Sequence, residues 1–331
     1  MAWRRVAAAL LLGGATLAAA QSRDRPVVVT SLTLFAGTER GLFRSQNWGL
    51  DWTELKHPGL DGLGAVNQVL PIGPRVYVGG QGGLFLSDDF GETWKRALGG
   101  TTVLSILSSR YPTADPTLFA GTTEGLIRSP DAGSSFRAAG QRGSSVFRLE
   151  WPGPAMAMAT SKGVVFSNEG GATLQPPGSG LPPGDVLALA LSSYFSVDPV
   201  LFAAIEGKGV HRSPDGGRTW LPAGLDSETV RDLVWLGPFL YAAGDRGVSR
   251  SEDLGRNWTP LNEGLKGLRA HRLLFPLAPA AGAEAFLATE DGVFHTPDGG
   301  LHWNGPTLKG HRVLSLSTFP PPIADPLVKH R

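Results

Sequence analysis

Apolar positions along this chain come in short β-rich runs separated by polar turns, and the runs recur. Seven times a run, a Gly-bearing turn and a second run follow one another, over 34–45, 76–87, 118–129, 156–167, 201–213, 240–251 and 286–296. Each reads as a hairpin. Directly after each hairpin stands S/T-x-D/N/E-x-G-x-x-W/F/L, starting at Ser45, Ser87, Ser129, Ser167, Ser213, Ser251 and Thr296, at spacings of 42, 42, 38, 46, 38 and 45 residues. One more apolar segment separates each signature from the next hairpin: 66–72, 103–109, 146–151, 186–192, 230–236 and 270–276, with 313–319 left over at the end.

Four strands per repeat and seven repeats predict an all-β chain folded as a seven-bladed β-propeller of four-stranded antiparallel blades. The left-over segment has no hairpin after it, and residues 314–326 parallel 104–116, both closing on Ala-Asp-Pro. The C-terminal strand is therefore expected to complete the first blade and latch the ring, with Val27, Val28 and Val29 as competitors for that inner position.

The signature resembles the Asp-box (BNR repeat) of bacterial sialidases, sortilin-type domains, xyloglucanases and the photosystem II assembly-factor family, over about 27–319. That resemblance implies a propeller. The chemistry of the signature points to a turn rather than to catalysis. An acceptor at position three (Asn47, Asp89, Asp131, Glu169, Asp215, Asp253, Asp298) can take backbone N–H groups of its own turn. Glycine at position five permits positive φ, and the aromatic at position eight can wedge between neighbouring sheets. The fourth copy departs from the pattern, with Glu169 for Asp and Leu174 for the aromatic. Seven equivalent turns do not make one active site.

The segment Met1 to Ala20 has a basic start at Arg4 and Arg5, an apolar run and small residues at Ala18 and Ala20. It reads as a secretory signal of either the general or the twin-arginine route, leaving 21–331 as a single domain outside the cytoplasm. Cysteine is absent, so no disulfide framework and no lipidated cysteine is expected. Net charge is +1, and loss of Arg4 and Arg5 takes it to −1, which argues against nucleic acid as a partner.

Catalytic patterns are missing. The sialidase likeness implies an Arg-Ile-Pro segment and a Tyr/Glu pair; no Arg-Ile-Pro occurs, Tyr77 and Tyr241 sit inside hairpin strands, and Tyr111 and Tyr194 fall in loops. There is no phosphate loop, no dinucleotide loop and no His-Glu-x-x-His, so neither a cofactor nor a metal is expected. The expectation is a monomeric, non-catalytic scaffold that binds an exported protein or peptide. A glycan-binding or glycoside-hydrolase-like propeller is the alternative, and it would need Trp151 or Trp235 exposed.

Function is placed on the face opposite the acidic turns. The third positions of the inner strands read Gln68, Ser105, Arg148, Ala188, Asp232, Arg272 and Ser315, flanked by Asn67, Glu150, Arg231, His271 and Arg312. Strand alternation sends one set between blades and the other toward the channel. The candidate partner-binding set is Gln68, Arg148, Glu150, Arg231, Asp232, His271, Arg272 and Arg312. An internal ring of ion pairs that merely satisfies buried charge is the competing reading.

Overall fold

The computed structural model describes residues 32–109, 111–151, 155–167, 174–175, 178–276 and 284–319. The secretory segment, Val27 to Val29 and the Glu169 turn lie outside the described residues.

Among the described residues, twenty-eight strands form seven separate four-stranded antiparallel sheets. From first strand to fourth, blade 2 is Val66–Ile72, Arg75–Gly80, Gly83–Ser87 and Lys95–Leu98, and blades 3 to 7 repeat the pattern. Their first strands are Val103–Ser108, Val146–Glu150, Val186–Leu191, Val230–Leu236 and Ala270–Leu274. Blade 1 takes its first strand from the far end of the chain: Val313–Phe319 pairs antiparallel with Thr33–Thr38, from Thr33 against Phe319 to Thr38 against Val313. The latch is as the repeat pattern requires.

Each first strand touches the first strand of the next blade, and that of blade 7 touches that of blade 1, so the seven close a ring around a channel. The fourth strands are largely exposed and form the outside. Seven apolar clusters fill the seven gaps between blades. Phe286 and Val293 of blade 7, for example, pack with Leu34 and Phe43 of blade 1, together with Val313 and Leu316 of the latch. Apolar burial is therefore distributed around the ring rather than gathered in one centre. Among the described residues no helix is long and apolar enough to cross a membrane.

Second strands are buried along most of their length, which explains their small central residues. Gly37, Gly79 and Gly121 stand where blades 4 to 7 have Ala159, Ala204, Ala243 and Ala288. A Cβ at Gly121 would meet Ser105 Oγ and the Val146 carbonyl of the next blade. Glycine there is a packing requirement.

The acidic turns have one geometry. In blade 2 the Ser87 hydroxyl donates to Asp89 Oδ1 (2.8 Å) and accepts the Gly91 N–H (2.8 Å), while Asp89 accepts the Thr93 N–H (2.8 Å) and hydroxyl (2.6 Å). Asp131, Asp215, Asp253 and Asp298 repeat it through Ser135, Thr219, Asn257 and His302. Asn47 manages the same turn with an amide oxygen that accepts the Asp51 N–H at 3.0 Å. Position five is a positive-φ glycine, as expected. Position four is also left-handed even where it is Trp48, Phe90, Ala132 or Leu254, which the sequence pattern did not disclose. Some position-eight indoles bind across blades, Trp258 Nε1 donating to Ala223 O at 2.8 Å and Trp303 Nε1 to Leu261 O at 2.9 Å, whereas Trp94 and Trp220 donate to Gly91 O and Gly217 O of their own turns. Leu174, the non-aromatic substitute in blade 4, is 37% exposed and makes no such wedge.

Candidate functional site

The first strands start on the face opposite the acidic turns, because Val66 pairs with Gly80 at the hairpin end while Ile72 pairs with Arg75 at the other. Their second residues, one from each blade, ring the mouth of the channel. The cavity there is about 260 Å³ and is lined by Asn67, Leu104, Phe147, Leu187, Arg231, His271 and Leu314, together with Arg148, Arg272 and Arg312. Every blade contributes. Four guanidinium groups and one imidazole line it, and among the described residues no carboxylate does.

The third positions behave differently from the second. Gln68 is tied to the next blade twice: Nε2 donates to Ile106 O at 3.0 Å and Oε1 accepts the Ile106 N–H at 2.8 Å. Ser105 Oγ donates to Val146 O at 3.1 Å, and Asp232 Oδ2 accepts the Leu273 N–H at 2.9 Å. These side chains bolt blades 2, 3 and 6 to their successors. The candidate partner-binding set counted Gln68 and Asp232 with the channel residues, because alternation separates two faces of a strand but does not say which face a neighbouring backbone occupies.

Asp232 is the hub. Only 1% of its side chain is exposed; Oδ1 accepts from Arg272 Nη1 at 2.9 Å, and Arg148 Nη2 lies 3.7 Å away. Arg148 also holds Glu150 at 2.9 Å. Burial pushes the Asp232 carboxyl up to about 6, against the pull of Arg148 and of the Leu273 N–H. Burial works against the Arg148 charge as well, yet Glu150 and Asp232 outweigh it and raise the Arg148 pKa. An ion-pair network thus joins blades 4, 6 and 7, so the competing reading describes these groups.

The rim is left with Arg231, His271 and Arg312. Arg231 pairs with Asp245 at 2.7 Å. Arg312 is exposed and has no ion-pair partner among the described residues. His271 is 6% exposed, and its Nε2 is shielded from solvent with no hydrogen-bond partner among the described residues. Burial, reinforced by Arg312 and Arg231, lowers its pKa to about 4, so it is neutral at pH 7.

A larger cavity of about 470 Å³ lies between blades 2 and 3 on the acidic-turn face, where sequence reasoning placed nothing. Its lining includes Ile72, Tyr77, Pro112 and Pro116, and its charged members, Arg75 and Asp88, are paired with each other at 2.6 Å. Trp151 and Trp235 are half-buried and pack into the apolar clusters between blades. The described residues hold no group of three metal-ligating side chains.

No family model matches the chain, and no curated protein does. Solved structures do. The structure of YCF48 bound to D1 peptide aligns with a TM-score of 0.61 at 18% identity, over 78% of this chain and 86% of that one. YCF48 from Cyanidioschyzon merolae aligns with a TM-score of 0.58 at 14% identity, over 82% and 97%. The GH74 enzyme of Niastella koreensis aligns with a TM-score of 0.56 at 15% identity over 84% of this chain, which spans 47% of that enzyme. At such identities the likeness is one of fold, that of the seven-bladed propeller.

Proposed function

We propose that this is an exported, non-catalytic propeller with Asp-box turns that binds a protein or peptide at the channel mouth on the face opposite those turns. The observation that carries the reading is the mouth itself: side chains from all seven blades converge on one cavity whose charged lining is entirely basic. Such a rim favours anionic groups on a partner. The turn acids are consumed by their own loops. That YCF48 has been seen with a peptide bound supports a peptide as the ligand class for a propeller of this shape. Trp151 and Trp235 are half-buried and pack into the clusters between blades, which favours the peptide reading over the glycan alternative. Export rests on the segment Met1 to Ala20.

The test is a peptide array rich in acidic and free C-terminal sequences, probed with the mature protein, with its Arg312→Glu variant and with a xyloglucan hydrolysis assay alongside. The reading requires hits that Arg312→Glu weakens and no sugar release. Hydrolysis of xyloglucan, or array hits indifferent to Arg312, would overturn it.

A further inference from the structure

The rim of the mouth holds a buried histidine surrounded mostly by cations. The charged groups acting on His271 are Arg231 and Asp245 of blade 6, Arg312 of blade 1 and Arg269 of its own blade, while Arg272 lines the same cavity and is bonded to Asp232. The carboxylate among those acting on it, Asp245, is engaged by Arg231 at 2.7 Å and by Arg269 at 3.5 Å. A positive imidazolium has no unshared counter-charge there. The Nε2 atom, shielded and without a hydrogen-bond partner among the described residues, marks a polar group whose partner the fold does not supply.

We propose that the channel mouth is a proton-coupled carboxylate site, in which a carboxylate seated against Arg231 and Arg312 is held together with a proton taken up from solvent by His271. This rests on the reading of the mouth as the binding face and names the ligand chemistry of that face. The physical logic is linkage. A carboxylate in the cavity offsets the repulsion that Arg231 and Arg312 exert on the imidazole, so protonation becomes easier when the site is filled. The same free energy then appears as tighter binding at lower pH. The neutral state of His271 at pH 7 leaves that proton to be taken up. No covalent step is involved; one proton moves from buffer to imidazole as one carboxylate binds.

Two carboxylate sources are separated by two probes: a tetra-aspartate peptide blocked at both ends, and tartrate. Both stay ionised between pH 5.5 and 7.5, roughly, so the probes contribute little titration of their own. Isothermal calorimetry at about pH 6.5 in two buffers of different ionisation enthalpy reads the protons exchanged. The expected result is uptake of a fraction of a proton per bound molecule, and a Kd about threefold weaker at pH 6.5 than at pH 5.5. His271→Gln should still bind but lose the uptake and the slope. Tighter binding of tartrate than of peptide supports the site and assigns it to free acids. A slope that survives in His271→Gln transfers the proton to Asp232 and overturns the proposal while leaving the binding face intact. Absence of binding by both probes overturns the binding face as well.

Discussion

Arg148 in the inner strand of blade 4 reaches past blade 5 to bring Nη2 within 3.7 Å of Asp232 Oδ1 in blade 6, an oxygen already bonded to Arg272 of blade 7 at 2.9 Å. Between them blade 5 presents only Ala188 at the corresponding position. Three blades that are not all neighbours are thereby braced through one buried carboxylate. Charge reversal here should act on stability before it acts on binding.

Arg272→Ala is expected to cost about 3 kcal/mol at neutral pH, because it removes one of two cations from a buried carboxylate. The cost has a pH signature. The Asp232 carboxyl is raised to about 6, above its unfolded range, so below that pH it takes a proton and has less need of the arginine. Melting curves of the variant and its parent should converge as pH falls from 7 toward about 5; a constant difference would contradict the brace.

The turn acids have the opposite sign. Hydrogen bonds from the Asn257 backbone and side chain hold Asp253 down to about 2, below its unfolded range. Its contribution is present above the unfolded pKa of about 4 and is lost as pH falls through the folded value. Asp253→Ala should therefore melt lower than the parent at pH 6 by a margin that vanishes near about pH 2. Persistence of the full margin in acid would rule out the carboxylate as its source.

Gly121→Val should be among the most damaging single changes in the ring. Its side chain enters the space held by Ser105 Oγ and the Val146 carbonyl, and overpacking of this kind costs about 1 to 3 kcal/mol or more. Ala243 marks the same position in blade 6, where a Cβ is accommodated. Chemical denaturation of Gly121→Val against Ala243→Gly checks this, and a neutral Gly121→Val would show that the blades are less closely packed than described.

Truncation before Val313 removes the inner strand of blade 1 and takes Val313 and Leu316 out of one interface and Phe319 out of the next. A melting temperature lower by about 10 °C or more is expected, from apolar burial of a few kcal/mol per large side chain and an opened edge. Unchanged melting would mean that another segment closes the ring.

The architecture was legible because the repeat is dense in turn chemistry: a hydroxyl, an acceptor two residues on and a glycine, with an aromatic in six of the seven copies, cannot recur at such regular spacing without fixing like turns. Val313 to Phe319 was readable as the latch because a strand without a hairpin must borrow one. The site was readable only in part. Sequence alternation picks out His271 and Arg231 as one face and Gln68, Asp232 and Arg272 as the other, but burial of Asp232 depends on where Arg148 arrives from two blades away, a non-local contact that no local pattern encodes. The left-handed conformations at Trp48 and Phe90 were hidden because the turn, not the side chain, sets φ there: Ala132 and the 48% exposed Phe90 adopt it alike.

The most direct test of the binding face compares two substitutions at opposite ends of the ring, Arg312→Glu at the channel mouth and Asp298→Ala in a turn, by the affinity of each for the blocked tetra-aspartate peptide at about pH 6.5 with folding verified by circular dichroism. Reversal of one rim charge facing a polyanion should weaken binding by about tenfold or more at low salt, and loss of the turn acid should lower stability by about 1 kcal/mol with affinity unchanged. If Asp298→Ala abolishes binding in a folded protein while Arg312→Glu leaves it untouched, the ligand sits on the acidic-turn face and the channel mouth is not the binding site.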